Sequence, residues 1–141
     1  MTISELEAEI IEEFSCFESW MEKYEFIIEL GKDLPIIDIK YKTDEYLING
    51  CQSKVWVHAT NENGKIQFTA DSDAIITKGI IALLINVLND QKPEDIVKSK
   101  ISFIDTIGLK SHLSPTRANG LSGMIKQIKS YALAYNIKNK N

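Results

Sequence analysis

With 141 residues, 44% hydrophobic and 26% charged, the chain has the make-up of one folded domain that closes a core without disulfides or metal staples. A net charge of -4 and a pI near 5.2 argue against a general nucleic-acid binder, which carries a strongly basic face. Two cysteines make no disulfide framework, the start Met1-Thr2-Ile3-Ser4-Glu5 lacks a signal-peptide pattern, and the longest apolar stretch, around Ile80 to Ile85, is too short for a bilayer. The expected setting is therefore the cytoplasm, with reduced thiols.

The charge is uneven. Residues 1–45 hold 13 acids against 4 lysines, a net of -9, and residues 46–141 hold 7 acids against 12 bases, a net of +5. Two solvated faces that partly neutralise each other explain this, as does an acidic arm that steers a partner.

In chain order, Ser4 with Glu7 has capping-box spacing, and Leu6, Ile10, Phe14 and Phe17 recur at helical spacing, which predicts a helix from Ser4 to Cys16. Cys16 then falls at its end as a core or boundary residue. Ser19 and Glu22 repeat the box, and Met21, Tyr24, Ile27, Ile28 and Leu30 carry an apolar face to Gly31, read as the stop. From Asp33 to Asn49 the periodicity breaks, leaving a loop with a short strand at Tyr46 to Ile48.

Val55, Val57 and Ala59 alternate with polar positions, as do Ile66, Phe68 and Ala70, across the turn-rich Asn61-Glu62-Asn63-Gly64. This is a hairpin with one face on the core. Trp56 lies on its other face, covered by a helix or exposed to a partner, and His58 there faces solvent. Asp71-Ser72-Asp73 supplies N-cap candidates for an apolar helix from Ala74 to Leu88, the expected buried axis. Pro93 opens a short helix, with His112 at a helix end. Ser114-Pro115 opens a long last helix whose face runs through Leu121, Met124, Ile125, Ile128, Tyr131 and Leu133. The polar tail, residues 136–141, is expected to fray. Helices at both ends of a small antiparallel sheet make residues 1–141 a single α+β domain.

The stretch Gly50-Cys51-Gln52-Ser53-Lys54-Val55-Trp56 places a thiol at the entrance to a strand, where a rigid sheet can present a reactive side chain. Gly50 relaxes the backbone before it. Spacing alone leaves Cys51 equally readable as a small buried hydrophobe. The stretch resembles the cysteine signature of the SufE proteins, sulfur acceptors for cysteine desulfurases in iron-sulfur cluster assembly. Asp71-Ser72-Asp73-Ala74 with Lys78-Gly79, and Leu113-Ser114-Pro115-Thr116-Arg117-Ala118-Asn119-Gly120, resemble two further motifs of that family, in the same order.

The resemblance implies the fold shared by SufE proteins and IscU-type scaffolds. It also implies a role for Cys51 as acceptor of persulfide sulfur from a SufS-type desulfurase, which it would stimulate. The sulfur would pass on to a SufB-containing scaffold complex. Pyridoxal phosphate would belong to the desulfurase, and no cofactor, metal, nucleic acid or membrane is expected for this chain; dimerisation is left open. Lys54 either favours the thiolate or points into solvent. Arg117, the only arginine beside 15 lysines, holds the cysteine loop, pairs with an acid such as Asp73, or meets the desulfurase. Asp73 is a cap or faces the partner, and Gln52 and Ser53 supply loop hydrogen bonds. The rival readings are a metal or cluster scaffold using Cys16, Cys51, His58 and His112, a thiol hydrolase or peroxidase, and an interaction module with a structural cysteine.

Overall fold

The computed structural model describes residues 1–48 and 52–140. Among them six helices surround one antiparallel hairpin. Helix α1 (Ile3–Ser15) and α2 (Trp20–Lys32) form an N-terminal pair. Strands β1 (Val55–Glu62) and β2 (Lys65–Ser72) follow, then α3 (Ile75–Leu88), the short α4 (Pro93–Lys98) and α5 (Phe103–Thr106), and the long α6 (Pro115–Lys140).

Helix α3 is the axis. Seven of its fourteen residues are β-branched, a poor helical composition that costs a few tenths of a kcal/mol at each position. Burial decides the outcome, because each large aliphatic side chain removed from water returns about 1.5–3 kcal/mol. Ile80, Ile81, Leu83, Leu84, Ile85 and Leu88 are all within 1% of full burial. Helix α2 crosses α3 at a glycine contact. A Cβ on Gly31 would stand 3.1 Å from the Gly79 nitrogen, and one on Gly79 would stand 2.3 Å from the Ile27 carbonyl oxygen. Gly31 is therefore a packing residue inside α2, not its stop. The helix runs on to Lys32 and is capped by Asp33.

The hairpin has the predicted inward face: Val55, Val57, Ala59, Ile66, Phe68 and Ala70 are buried. Asn63 and Gly64 both take positive φ, the geometry of a tight two-residue turn. A two-stranded sheet leaves both edges open, and here each is closed without a third strand. On the β1 edge, the carbonyls of Val55, Val57 and Ala59 accept from Ile48 N–H, Tyr131 O–H and Tyr135 O–H. On the β2 edge, Ala70 exchanges bonds with Pro35 and Ile37, Ile66 with Asp90 and Gln91, and the Asn89 side chain accepts from Phe68 N–H.

Several local expectations are corrected. The first capping box is Thr2 with Glu5, ahead of Ser4 with Glu7; Glu7 instead accepts from Phe103 N–H. Cys16 caps α1 but is exposed, as is Met21. The strand expected at 46–48 is a single bridge, Leu47 to Trp56, preceded by 3₁₀ turns at Ile39–Tyr41 and Asp44–Tyr46. That segment, not a helix, covers the outer face of the hairpin. Lys42 lies over the Trp56 ring at 4.9 Å, and Tyr41 stacks on His58 at 3.7 Å, so His58 is half-buried. Leu133 is exposed. The tail continues as helix to Lys140, where Asn61 donates to Asn139. No described helix is long and apolar enough to cross a membrane.

Candidate functional site

Gly50 and Cys51 lie outside the described residues, so the site is built from what adjoins them. Beyond Gln52 and Ser53 the chain is pinned to the turn between β2 and α3. Lys54 N–H donates to Asp73 Oδ1 at 3.0 Å, and the Lys54 carbonyl accepts from Ser72 Oγ at 2.8 Å and Asp73 N–H at 3.2 Å. Asp73 is thus a clamp on the strand entrance and does not cap α3, whose first residue follows Ala74 without a side-chain cap. The Lys54 side chain is exposed.

Asp71 is not a cap either. Its carboxylate bonds Lys42 Nζ at 3.0 Å, meets Lys78 Nζ at 3.5 Å and accepts its neighbour Ser72 N–H. Burial alone would push this carboxyl up, but the hydrogen bonds from Lys42 and Ser72 and the two lysine charges outweigh it and hold it below the ordinary carboxylate range.

Beside the clamp is a cavity of about 290 Å³. Gln52 and Ser53 form one wall, Thr77 and Ile80 of α3 the floor, and Arg117 and Met124 of α6 the far side. The first and third motifs, far apart in sequence, therefore meet with Thr77 and Ile80 of α3 at one small space, below the roughly 300–1,000 Å³ of drug-sized ligand sites. Helix α6 is set there by its first turn: Ser114 Oγ accepts from Arg117 N–H at 3.2 Å, and Ala118 N–H returns to the Ser114 carbonyl. The segment leading into it is held by Trp20, stacked on His112 at 3.7 Å, and by Tyr24 O–H donating to the His112 carbonyl. The Arg117 guanidinium makes no ion pair or hydrogen bond among the described residues, so the pairing with Asp73 is not formed. Its charge is left at the cavity.

Nothing in the sequence singles out Thr77. It is 6% exposed and lines the cavity. Among the described residues no three His, Cys, Asp or Glu side chains stand together as metal ligands. His58 and His112 are each stacked on a different aromatic ring, and Cys16 is on the surface.

Residues 8–132 match the family described as SufE: Fe-S metabolism associated domain. An uncharacterized SufE-like protein of Rhizobium meliloti (strain 1021) is 37% identical over 129 residues, covering 88% of this chain and 92% of the relative. In fold, the chain is similar to a hypothetical protein from Thermus thermophilus solved in solution, with a TM-score of 0.77 at 20% identity, over 92% of this chain and 94% of that one. A match across most of the chain and a relative at this identity lead to one conclusion: the chain belongs to the SufE family, proteins associated with iron-sulfur metabolism.

Proposed function

We propose that the protein is a persulfide relay: Cys51 takes sulfur from a SufS-type cysteine desulfurase, stimulates that enzyme by clearing its bound sulfur, and hands the sulfur to a SufB-containing scaffold. The observation that carries this reading is the meeting of the first and third SufE-like motifs, through Gln52 and Ser53 and through Ser114, Thr116 and Arg117, on a cavity beside the residue that follows Cys51 in sequence, with Asp73 of the second motif clamping Lys54 of the first.

The step is a thiol-disulfide exchange. The Cys51 thiolate attacks the outer sulfur of the donor's persulfide. A bond forms between Cys51 Sγ and that sulfur, the donor's S–S bond breaks, and the donor cysteine leaves as thiolate with no net oxidation. Only thiolates do this at a useful rate, and a cysteine of ordinary pKa about 8.5 is a few per cent ionised at neutral pH. Arg117 and Lys54 are both exposed, so each charge favours anionic sulfur in its vicinity only as far as screening by water allows. Pyridoxal phosphate chemistry belongs to the desulfurase.

Intact-mass spectrometry after incubation with a SufS-type desulfurase and cysteine tests the reading. One added sulfur, mapped to Cys51, is expected, and Cys51→Ser should lose both the added sulfur and the stimulation while keeping its fold. Stimulation that survives in Cys51→Ser would make the protein an interaction module and sink the relay.

A further inference from the structure

Two hollows of about 450 and 230 Å³ open along α1 and α2 and adjoin at Phe26, which lines both. Leu6 and Ile10 of α1, Phe26 and Leu30 of α2 and Phe17 between the helices give this groove an apolar floor. All but Ile10 are only half-buried, so the floor is open to an occupant. Phe14 packs edge-on against Phe17 at 6.4 Å and Phe26 at 5.5 Å, which fixes its shape. The banks are acidic on both sides: Glu9 and Glu13 of α1, and Glu22, Glu25 and Glu29 of α2, are all exposed. Like charges four residues apart, as in Glu9 with Glu13 and Glu25 with Glu29, destabilise a helix. Only Glu29 of the five is paired with a lysine among the described residues, and no base lines either hollow.

We propose that this groove is the docking site for a basic amphipathic helix of another protein. From Leu6 to Phe17 the floor runs about 16 Å, or about three helical turns. A helix of that length lays apolar side chains at i, i+4 and i+7 on the floor, and lysines or arginines on its two flanks meet the two banks. The same carboxylates repel anionic lipid and nucleic acid. A second copy of this chain is a poorer match. The exposed large apolar residues of α6, Leu133 and Ile137, span one turn, and that end of the helix is bonded to β1 through Tyr131, Tyr135 and Asn139. The groove shares no residue with the cavity beside Gln52 and Arg117, so the proposal stands whether or not Cys51 carries sulfur.

The test titrates the full chain into a labelled synthetic peptide of about four helical turns, with leucine at every third or fourth position and lysine on both flanks, read by fluorescence anisotropy. A peptide of the same composition, scrambled so that it has no apolar face, is the control. The amphipathic peptide should bind at least about 10-fold more tightly than the scrambled one. Glu13→Lys with Glu25→Lys, both at exposed positions on opposite banks, should weaken binding about 10-fold or more. Glu45→Lys with Glu62→Lys makes the same charge change on exposed residues outside the groove and should weaken it by less than about 3-fold. Equal affinity for the two peptides, equal loss in the two double variants, or no binding at all overturns the docking site and leaves the relay standing. Sedimentation of the chain alone tests the other occupant, and a monomer is expected. Self-association abolished both by Leu133→Asp and by Glu13→Lys with Glu25→Lys would give the groove to a second copy and overturn the proposal.

Discussion

Asp73 holds the strand entrance by a two-way contact with Lys54: its carboxylate accepts the Lys54 N–H, and its own N–H returns to the Lys54 carbonyl. A hydrogen bond to a charged acceptor contributes about 1.5–3 kcal/mol. Asp73→Ala should therefore cost about 2 kcal/mol in urea unfolding and speed exchange of the Lys54 amide selectively, whereas Asp73→Asn keeps an acceptor and should fall between. Unchanged exchange at Lys54 would mean that the clamp holds nothing. His58 supplies a pH-dependent counterpart. Burial first, then the charge of Lys40, lowers its pKa from 6.5, and the rings that face it are those of Tyr41 and Tyr46. The folded state thus prefers neutral His58. Its contribution is present above 6.5 and is lost as pH falls from there through the lower folded value. His58→Phe keeps the stack on Tyr41 and should flatten that part of the melting-temperature profile on acidification.

The elements divide into those whose pattern is local and those set by a distant partner. The alternation in 55–59 and 66–70 and the apolar run of α3 are legible because a two-residue or all-round pattern needs no tertiary information. Gly31 reads as a stop because a glycine near a helix end and a glycine at a helix crossing look alike until the opposing Gly79 is known. The carboxylates of Asp71 and Asp73 resemble caps for the same reason; their bonds go to Lys42, Lys78 and Lys54, none of which the spacing identifies. At the cavity, the motifs point to Gln52, Ser53 and Arg117, but Thr77 follows Ile75 and Ile76 and reads as one more β-branched core position. The crossing itself makes an ordered prediction. Gly79→Ala drives a methyl to 2.3 Å from a backbone oxygen and should cost more than about 3 kcal/mol or prevent folding, because neither helix backbone can yield cheaply. Gly31→Ala, at 3.1 Å, should be markedly milder in the same denaturation assay. The reverse order would mean that the helices do not cross at these residues.

Across the whole molecule, the acidic first third and the basic remainder do not neutralise each other by contact. Apart from Lys42 with Asp71, the ion pairs among the described residues lie within one part: Lys32 with Glu29, Lys78 with Asp71 and Lys98 with Glu94. None joins an acid of residues 1–45 to a base of residues 46–141. The carboxylates of residues 1–45, most of them on α1 and α2, therefore repel one another within a segment of net charge -9, and exposed pairs such as Lys32 with Glu29 add little against that. Screening acts on the two contributions with opposite sign. Where attraction between exposed charges dominates, added salt lowers stability; where repulsion dominates, it raises stability, and the Debye length falls from about 30 Å at 0.01 M to about 3 Å at 1 M. Repulsion has more members here. The melting temperature should rise between about 0.01 M and about 0.3 M sodium chloride, over which range screening of exposed charges is largely completed. Replacing Glu9, Glu12 and Glu13 of α1 by glutamine should raise the melting temperature at low salt and shrink its salt dependence. A melting temperature that falls with salt would mean that long-range attraction between the two parts outweighs repulsion within the first, and that the charge asymmetry binds the fold together in place of leaving an acidic surface.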